Sequence, residues 1–311
     1  MDKLLLLGAD SMLGANLALT LEDRFDATGV SRQLAQVAGC RHTVVGDPLD
    51  AALISRLVTE EQPDWIICVG PTSRSSWEAR ADEQPANAPA VMQQLVAATA
   101  ESGAALSIIS SDAVFAGPRL FHEEQSRATA DTTYARAALE LEASLADTHA
   151  LVVRTHAYGW GPSPEHPSYT DALVAQLEAA AAAPGDGLHY ATPILATDLA
   201  ELLATAYEKD LHGLYHITGA ERANQARFAS ELATALDLQP PATAAIAIMP
   251  LAADRPIGET SLNTRRARRD LGLPMPLLRE GLERLAAQRD NGFRARLRGA
   301  PEPHVRRTRA A

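Results

Sequence analysis

Short apolar runs alternate along this chain with longer stretches of helical periodicity, and this alternation restricts the fold more than any single residue does. Such runs are strand candidates, and they lie at Lys3 to Leu7, Ala27 to Val30, Thr43 to Val45, Trp65 to Val69, Leu106 to Ile109, Leu151 to Val153 and Leu214 to Ile217. Helices rich in alanine and leucine are predicted between them at about 12–22, 49–60, 88–102 and 132–147. Buried strands joined by amphipathic helices form right-handed βαβ units. The sequence therefore predicts an α/β fold with a Rossmann-type doubly wound parallel sheet.

The pattern changes after about residue 155, where glycines and prolines interrupt it. Further helices are predicted at about 169–183, 224–237 and 276–288, and the segment from Gln239 to Pro256 is rich in proline. We predict a Rossmann domain over residues 1–156, with its sheet completed by about 213–217. A small, discontinuous C-terminal lobe is expected over 157–288.

The last segment, 289–311, is predicted to be a basic C-terminal tail. It carries seven arginines against Asp290 and Glu302 and shows no apolar periodicity. We expect it to be mobile and solvated. The alternative is an arm that contacts an anion or another subunit.

Composition argues against several function classes. A formal net charge of −11 disfavours general binding of nucleic acid, and no apolar run approaches the roughly 20 residues of a membrane span. Cys40 and Cys68 are too few for a disulfide framework, and no histidine has the spacing of a metal ligand, so no metal is expected. The opening apolar stretch is too short for a signal peptide. We expect a cytoplasmic protein with neither a nucleic-acid nor a membrane partner.

A glycine-rich turn follows the first predicted strand directly. The chain reads Gly8-Ala9-Asp10-Ser11-Met12-Leu13-Gly14 and then opens the first predicted helix. This spacing is typical of dinucleotide binding, where the first glycine allows a tight turn and the last allows close packing of helix on strand. Ser11 replaces the middle glycine, which either weakens phosphate binding or adds a hydroxyl donor. The candidate cofactor contacts here are Gly8, Ser11, Met12, Leu13 and Gly14.

The end of the second predicted strand reads Ser31-Arg32. An acidic residue at this point would hold a ribose 2′-hydroxyl, whereas an arginine accommodates a 2′-phosphate. The pair therefore favours NADP(H), with NAD(H) as the alternative. Asp47 and Asp50, after the third strand, are expected near the adenine, although either also suits a helix cap.

Several segments in order resemble the dTDP-4-dehydrorhamnose reductase family of extended short-chain dehydrogenases, over about residues 1 to 288. The clearest is Ile109 to Gly117, which reads ISSDAVFAG. Others that match the family's recurrent residues are Glu123, Arg154-Thr155 with Tyr158-Gly159, Pro193 with Asp198-Leu199, Tyr215-His216, and Arg255-Pro256 to Leu271-Gly272.

The resemblance implies a reductase that takes hydride from NADPH and acts on a keto group of a nucleotide-linked sugar or related small metabolite. Ser111 would polarise the carbonyl and Tyr134 would protonate its oxygen. The family's lysine, four residues after the tyrosine, is replaced by Ala138. Arg136 is a poor substitute, because two residues along a helix point to nearly opposite sides.

Other residues are assigned to the cleft by position. Gly70 and Pro71, after the fourth strand, would lie on the nicotinamide side, and Asp112 and His156 on the substrate side. His156 is either a proton donor near neutral pH or a structural histidine. The C-terminal lobe would hold the substrate, whose identity the sequence does not give.

Three functions stay open. The first is a reductase with nonstandard activation of Tyr134. The second is a catalytically silent NADP(H)-binding regulatory subunit, in which Tyr134 only packs an internal surface. The third is a changed reaction on the same fold, such as epimerisation or elimination. The helices at 88–102 and 132–147 either pair across a homodimer or face solvent.

Overall fold

A central sheet of parallel strands organises the protein. The computed structural model describes residues 1–79, 88–179, 187–240 and 258–299. Within these residues the strands are β1 (Asp2–Leu7), β2 (Phe25–Ser31), β3 (His42–Val45), β4 (Trp65–Cys68), β5 (Ala105–Ser111), β6 (Leu151–Thr155), β7 (Ala157–Tyr158), β8 (His189–Ala191), β9 (Ile194–Leu195), β10 (Gly213–His216), β11 (Ala223–Asn224) and β12 (Gly258–Glu259). Seven of them form the sheet in the order β10-β6-β5-β4-β1-β2-β3. Every neighbouring pair in it is parallel.

Helices cover both faces of this sheet. They are α1 (Met12–Leu21), α2 (Ala51–Glu61), α3 (Ala88–Ser102), α4 (Thr133–Ser144), α5 (Tyr169–Glu178), α6 (Ala196–Glu208), α7 (Gln225–Ala235), α8 (Arg265–Leu271), α9 (Leu278–Asp290) and α10 (Phe293–Leu297). Short 3-10 turns lie at Pro71–Ser73 and Asp112–Val114. The predicted doubly wound α/β fold is confirmed.

The leucine run of β1 shows why the sheet is buried on both sides. Successive side chains of a strand point to opposite faces. Leu4 and Leu6 lie in the core beneath α1 and α6, whereas Leu5 and Leu7 lie in the core beneath α2, α3 and α4. A continuous apolar strand therefore has a packing partner for each side chain, as parallel sheets require.

The C-terminal half adds β10 to the main sheet and forms two small sheets of its own. β10 pairs with β6 at one edge, where the sequence places Leu214 to Ile217. β8 pairs with β11 and β12, and β7 pairs with β9. The predicted helix at about 169–183 is α5 over its described part. Most of the proline-rich segment from Gln239 to Pro256 lies outside the described residues.

The prediction of a mobile tail is wrong for the residues up to Gly299. Arg294 and Arg298 donate to Asp171 at 3.0 and 2.7 Å, and Arg296 pairs with Glu22 at 2.6 Å. Leu297 of α10 is buried. Three of the arginines that made the segment look solvated are thus bound to acidic residues of the folded body. Residues 300–311 lie outside the described residues.

Candidate functional site

The glycine-rich turn is closed by its own backbone. Gly8 has a φ of +82°, and a Cβ there would collide with the carbonyl of Val69, so only glycine fits against the end of β4. A Cβ on Gly14 would collide with the carbonyl of Gly8. The Ser11 hydroxyl donates to Gly8 O at 2.7 Å and accepts from Gly14 N at 2.9 Å. This hydroxyl therefore caps α1. Because it is engaged in these two hydrogen bonds, it is not a free donor for a phosphate.

Two backbone donors at this turn have the character of a phosphate site. Met12 and Leu13 open α1, and the first N–H groups of a helix have no intrahelical acceptor. Within the described part of the chain, neither N–H has a hydrogen-bond acceptor. Such a helix start favours an anion such as a pyrophosphate. The Leu13 side chain itself is buried in the core, so any cofactor contact of this residue runs through its backbone.

The end of β2 differs from the sequence-based picture. Ser31 is fully buried, and its hydroxyl accepts from Leu34 N at 2.8 Å. It therefore lies inside the turn, and its prediction as a cofactor contact is corrected because the hydroxyl has no exposed side. Arg32 does lie at the surface, and its guanidinium pairs with Asp47 at 2.9 Å.

Asp10 is the residue that sequence reasoning missed here. Its carboxylate accepts the backbone N–H groups of Arg32 at 2.8 Å and Gln33 at 3.1 Å. An acidic side chain thus lies at the end of β2 although it comes from the glycine-rich turn. The signal was present in the sequence, since Asp10 stands inside the motif.

The hydroxyls of Ser111 and Tyr134 converge on one backbone carbonyl oxygen. Ser111 ends β5 and Tyr134 lies in the first turn of α4, and both are buried. Ser111 Oγ donates to the backbone carbonyl oxygen of Arg74 at 2.5 Å, and Tyr134 Oη donates to the same oxygen at 3.1 Å. Tyr134 Oη also accepts from Arg74 N at 2.9 Å. One peptide carbonyl therefore occupies the point where the two hydroxyls meet.

Ala138 lies one turn along α4 from Tyr134 on the same buried face. It is fully buried in an apolar cluster with Val114, Phe115 and Leu262. Arg136 is exposed and pairs with Asp131, so it supplies no cation on this face. The space beneath the phenol is filled by hydrocarbon instead of an ammonium group.

Asp112 and His156 form a buried pair beside this point. Asp112 Oδ2 lies 2.7 Å from His156 Nδ1, and the two side chains are 0% and 1% exposed. Asp112 also accepts from Ser76 N at 2.8 Å, and from the hydroxyls of Ser76 and Thr260, each at 2.6 Å. Burial by itself raises the pKa of Asp112, but the imidazole of His156 and these hydrogen bonds outweigh it and hold the pKa below its usual value. The carboxylate is therefore kept charged.

The segment after β4, which we call the β4 loop (Gly70–Ala79), contacts the end of β5 and residues of the C-terminal half. The Gly70 carbonyl accepts from Ser73 Oγ at 2.7 Å, and Pro71 opens the 3-10 turn. The Trp77 ring packs 4.4 Å from His156 and 5.4 Å from Phe228, between ring centroids. Gly70 and Pro71 thus stand at the base of a loop that reaches both candidate catalytic hydroxyls.

The edge of the sheet explains why these groups meet. The glycine-rich turn, the β4 loop, Ser111 and His156 follow β1, β4, β5 and β6, which are neighbours in the sheet. The carboxyl ends of parallel strands lie at one edge, and ligands of open α/β sheets bind there. The predicted cofactor and substrate residues that follow these strands therefore lie at one edge of the sheet.

Comparison with known proteins identifies the family. The family model described as RmlD substrate binding domain matches residues 2–291. The chain belongs to this family. The family predicted from the sequence is thereby confirmed.

Solved structures show the same fold at low identity. The dTDP-4-dehydrorhamnose reductase of Bacillus anthracis, in complex with NADP, is 20% identical with a TM-score of 0.70, covering 92% of this chain and 99% of that one. The UDP-glucose 4-epimerase of Thermotoga maritima, with UDP-glucose, is 14% identical with a TM-score of 0.70, covering 94% and 99%. The Bordetella bronchiseptica enzyme WbmH, in complex with NAD+, is 17% identical with a TM-score of 0.65, covering 94% and 100%. Comparison with curated protein sequences finds no match.

Within residues 1–79, 88–179, 187–240 and 258–299, no group of three or more histidine, cysteine, aspartate or glutamate side chains is placed to hold a metal ion. None of the helices in these ranges has both the length and the apolar character needed to span a bilayer.

Proposed function

We propose that this protein binds a nicotinamide dinucleotide and a nucleotide-linked sugar, and that it reduces a keto group of the sugar or of a related small metabolite. The observation that carries the proposal is the convergence of Ser111 and Tyr134 on one carbonyl oxygen, that of Arg74. Two donors aimed at one oxygen are what a reaction that builds negative charge on that oxygen needs.

The chain offers a fitting place for the dinucleotide. The unpaired N–H groups of Met12 and Leu13 suit its pyrophosphate, and Gly8 and Gly14 let the backbone come close. When bound, the reduced cofactor supplies hydride. Gly70 and Pro71 are proposed beside its nicotinamide, and Asp47 beside its adenine. Both NADP(H), which Ser31 and Arg32 predict, and NAD(H) fit this binding place.

The protein's own groups then have separate tasks. Ser111 Oγ binds and polarises the substrate oxygen, and Tyr134 Oη donates the proton that this oxygen takes up. Asp112 and His156 hold the β4 loop and face the C-terminal lobe, where we place the sugar. Because the Arg74 carbonyl stands at the meeting point, the substrate oxygen has to replace it, and the β4 loop has to shift when substrate enters.

A second function is favoured by one specific observation. Ala138 is packed among Val114, Phe115 and Leu262, so this helix has lost the cation expected beneath the phenol together with the space for it. That packing suits a subunit that binds the dinucleotide without turnover. Such a protein would need the glycine-rich turn at Gly8 for binding, but it would not need the hydroxyls of Ser111 and Tyr134.

Turnover with a panel of dTDP-4-keto sugars separates the two functions. Calorimetry first establishes dinucleotide binding, and oxidation of NADH or NADPH is then followed at saturating cofactor. For a reductase, Tyr134→Phe and Ser111→Ala should each lower kcat by about 10²-fold or more, the scale of a lost proton donor. Tyr207→Phe, which removes an exposed hydroxyl bonded to Asp2, is the matched control and should keep full activity.

The outcomes are distinct. Tight dinucleotide binding with no oxidation on any substrate supports the silent subunit. Full activity in Tyr134→Phe shows that the tyrosine is not the proton donor and makes His156 the next residue to test. No binding of either dinucleotide contradicts both functions.

A further inference from the structure

The carboxylate of Asp10 stands where a Rossmann protein distinguishes its two nicotinamide cofactors. The glycine-rich turn abuts the end of β2, because Gly8 N and Ala9 N both donate to Val30 O at 3.1 and 2.9 Å. The end of this strand is the place where an acidic residue holds the ribose 2′-hydroxyl or an arginine meets a 2′-phosphate. Asp10 reaches it from the glycine-rich turn that follows β1.

We infer that Asp10 makes this protein prefer NAD(H) over NADP(H). The inference rests on the proposed binding of a nicotinamide dinucleotide. It reverses the preference expected from Ser31 and Arg32, because Ser31 is not available and Arg32 alone does not decide the preference. Ser31 is buried with its hydroxyl inside the turn, and Arg32 is turned toward Asp47.

The backbone donors at this point are already used. The N–H groups of Arg32 and Gln33 would be natural partners for a 2′-phosphate, but both donate to Asp10 Oδ2. A phosphate would have to displace the carboxylate from them. A ribose diol has the opposite requirement, since a hydroxyl donates to a carboxylate and leaves these two N–H bonds in place.

Charge adds to the same preference. A phosphate monoester carries about −1.5 to −2 at neutral pH, and it would enter a region that holds the carboxylates of Asp10 and Asp47 against one guanidinium. Two like charges a few ångströms apart repel each other. NAD(H) lacks this phosphate and meets no such repulsion.

The pair between Arg32 and Asp47 is the weaker determinant. Its side chains are 50% and 57% exposed, and exposed ion pairs contribute little to stability. Arg32 is therefore easily released to meet a phosphate. Asp10 cannot be displaced as cheaply, because its carboxylate joins two loops through two backbone hydrogen bonds.

The test is calorimetric titration of the full-length protein with NADH and with NADPH. We expect NADH to bind at least 10-fold more tightly. Asp10→Asn removes the charge but keeps a carbonyl oxygen for the N–H groups of Arg32 and Gln33, so the turn should persist. This variant should bind NADPH more tightly and NADH more weakly than the parent does. The ratio of the two dissociation constants should shift toward NADPH by at least 10-fold.

Two controls make the result specific. Glu60→Gln removes an equal charge at an exposed position of α2 and should leave the ratio unchanged. Thermal melting of each variant shows that it is folded. Equal or tighter binding of NADPH by the unmodified protein, or an unchanged ratio in Asp10→Asn, overturns this inference but leaves the proposed function standing. Failure of both dinucleotides to bind overturns the proposed function and this inference with it.

Discussion

Ala138 shows how far one residue changes the surroundings of its neighbours. A lysine at this point would place an ammonium beneath the Tyr134 phenol, but the structure encloses Ala138 with Val114, Phe115 and Leu262. The apolar side chains around Ala138 therefore pack closely against the alanine that replaces the lysine. Restoring the lysine alone would bury a charge in hydrocarbon.

We predict that Ala138→Lys lowers the free energy of unfolding by about 3 kcal/mol or more, because an unpaired buried charge costs several kcal/mol. Denaturant titration would measure this. Ala137→Lys, one residue earlier on the half-exposed side of α4, is the matched control and should change stability by less than about 1 kcal/mol. An Ala138→Lys protein as stable as its parent would show that the cluster opens readily to admit the ammonium.

The residues found from the sequence and those missed differ in a physical way. Ser111, Tyr134 and Gly8 belong to local motifs, and the fold places them as those motifs predict. Arg74 contributes a backbone carbonyl, which any residue type provides, so no sequence pattern marks it. Ser31 was misjudged because its burial depends on how the turn after β2 folds back.

At the scale of elements, the β4 loop is the part of the site most open to change. It is held by hydrogen bonds from Arg74 N to Tyr134 and from Ser76 N to Asp112, and by packing of the Trp77 ring. The strands around it were predictable because each is a continuous apolar run. The loop and the two-residue strands β7, β9, β11 and β12 were not, since long-range contacts alone fix their conformation.

Trp77→Ala should loosen this loop without unfolding the sheet. Loss of the ring removes contacts with His156, Tyr169 and Phe228. We expect amide hydrogen exchange at Arg74 and Ser76 to rise about 10-fold or more, which corresponds to roughly 1.4 kcal/mol of local opening free energy. Exchange in β4 and β5 should stay as in the parent. Leu120→Ala, at an exposed side chain, is the control; unchanged exchange in Trp77→Ala would mean that hydrogen bonds alone close the loop.

At the scale of the whole molecule, buried histidines link folding to pH. Burial, with the nearby Arg154 guanidinium adding to its effect, lowers the pKa of His216 to about 3. An unfolded histidine has a pKa of about 6.5. Between these values the unfolded chain binds a proton that the folded chain does not, so stability falls as pH falls from about 6.5 toward 3.

We predict that this histidine alone removes about 2 kcal/mol of stability between pH 7 and pH 5. Urea denaturation at the two pH values would show the loss, and His216→Gln should reduce it by that amount. His42→Gln, which replaces an exposed histidine, should leave the pH dependence as it is. An equal loss in parent and His216→Gln would show that His216 is not neutral in the folded protein or not the source of the effect.

The C-terminal segment joins the two halves of the protein, and its removal gives the last prediction. Asp171 of α5 is 5% exposed and binds Arg294 and Arg298, while Leu297 is buried against the core. Truncation after Asn291 should lower the free energy of unfolding by about 3 kcal/mol or more, since it exposes apolar surface and leaves a buried carboxylate without its cations. Truncation after Gly299 keeps every one of these contacts and should melt as the parent does. If both truncated proteins melt like the parent, the contacts of α10 contribute nothing to stability, and the segment behaves in solution as the solvated tail that its composition predicts.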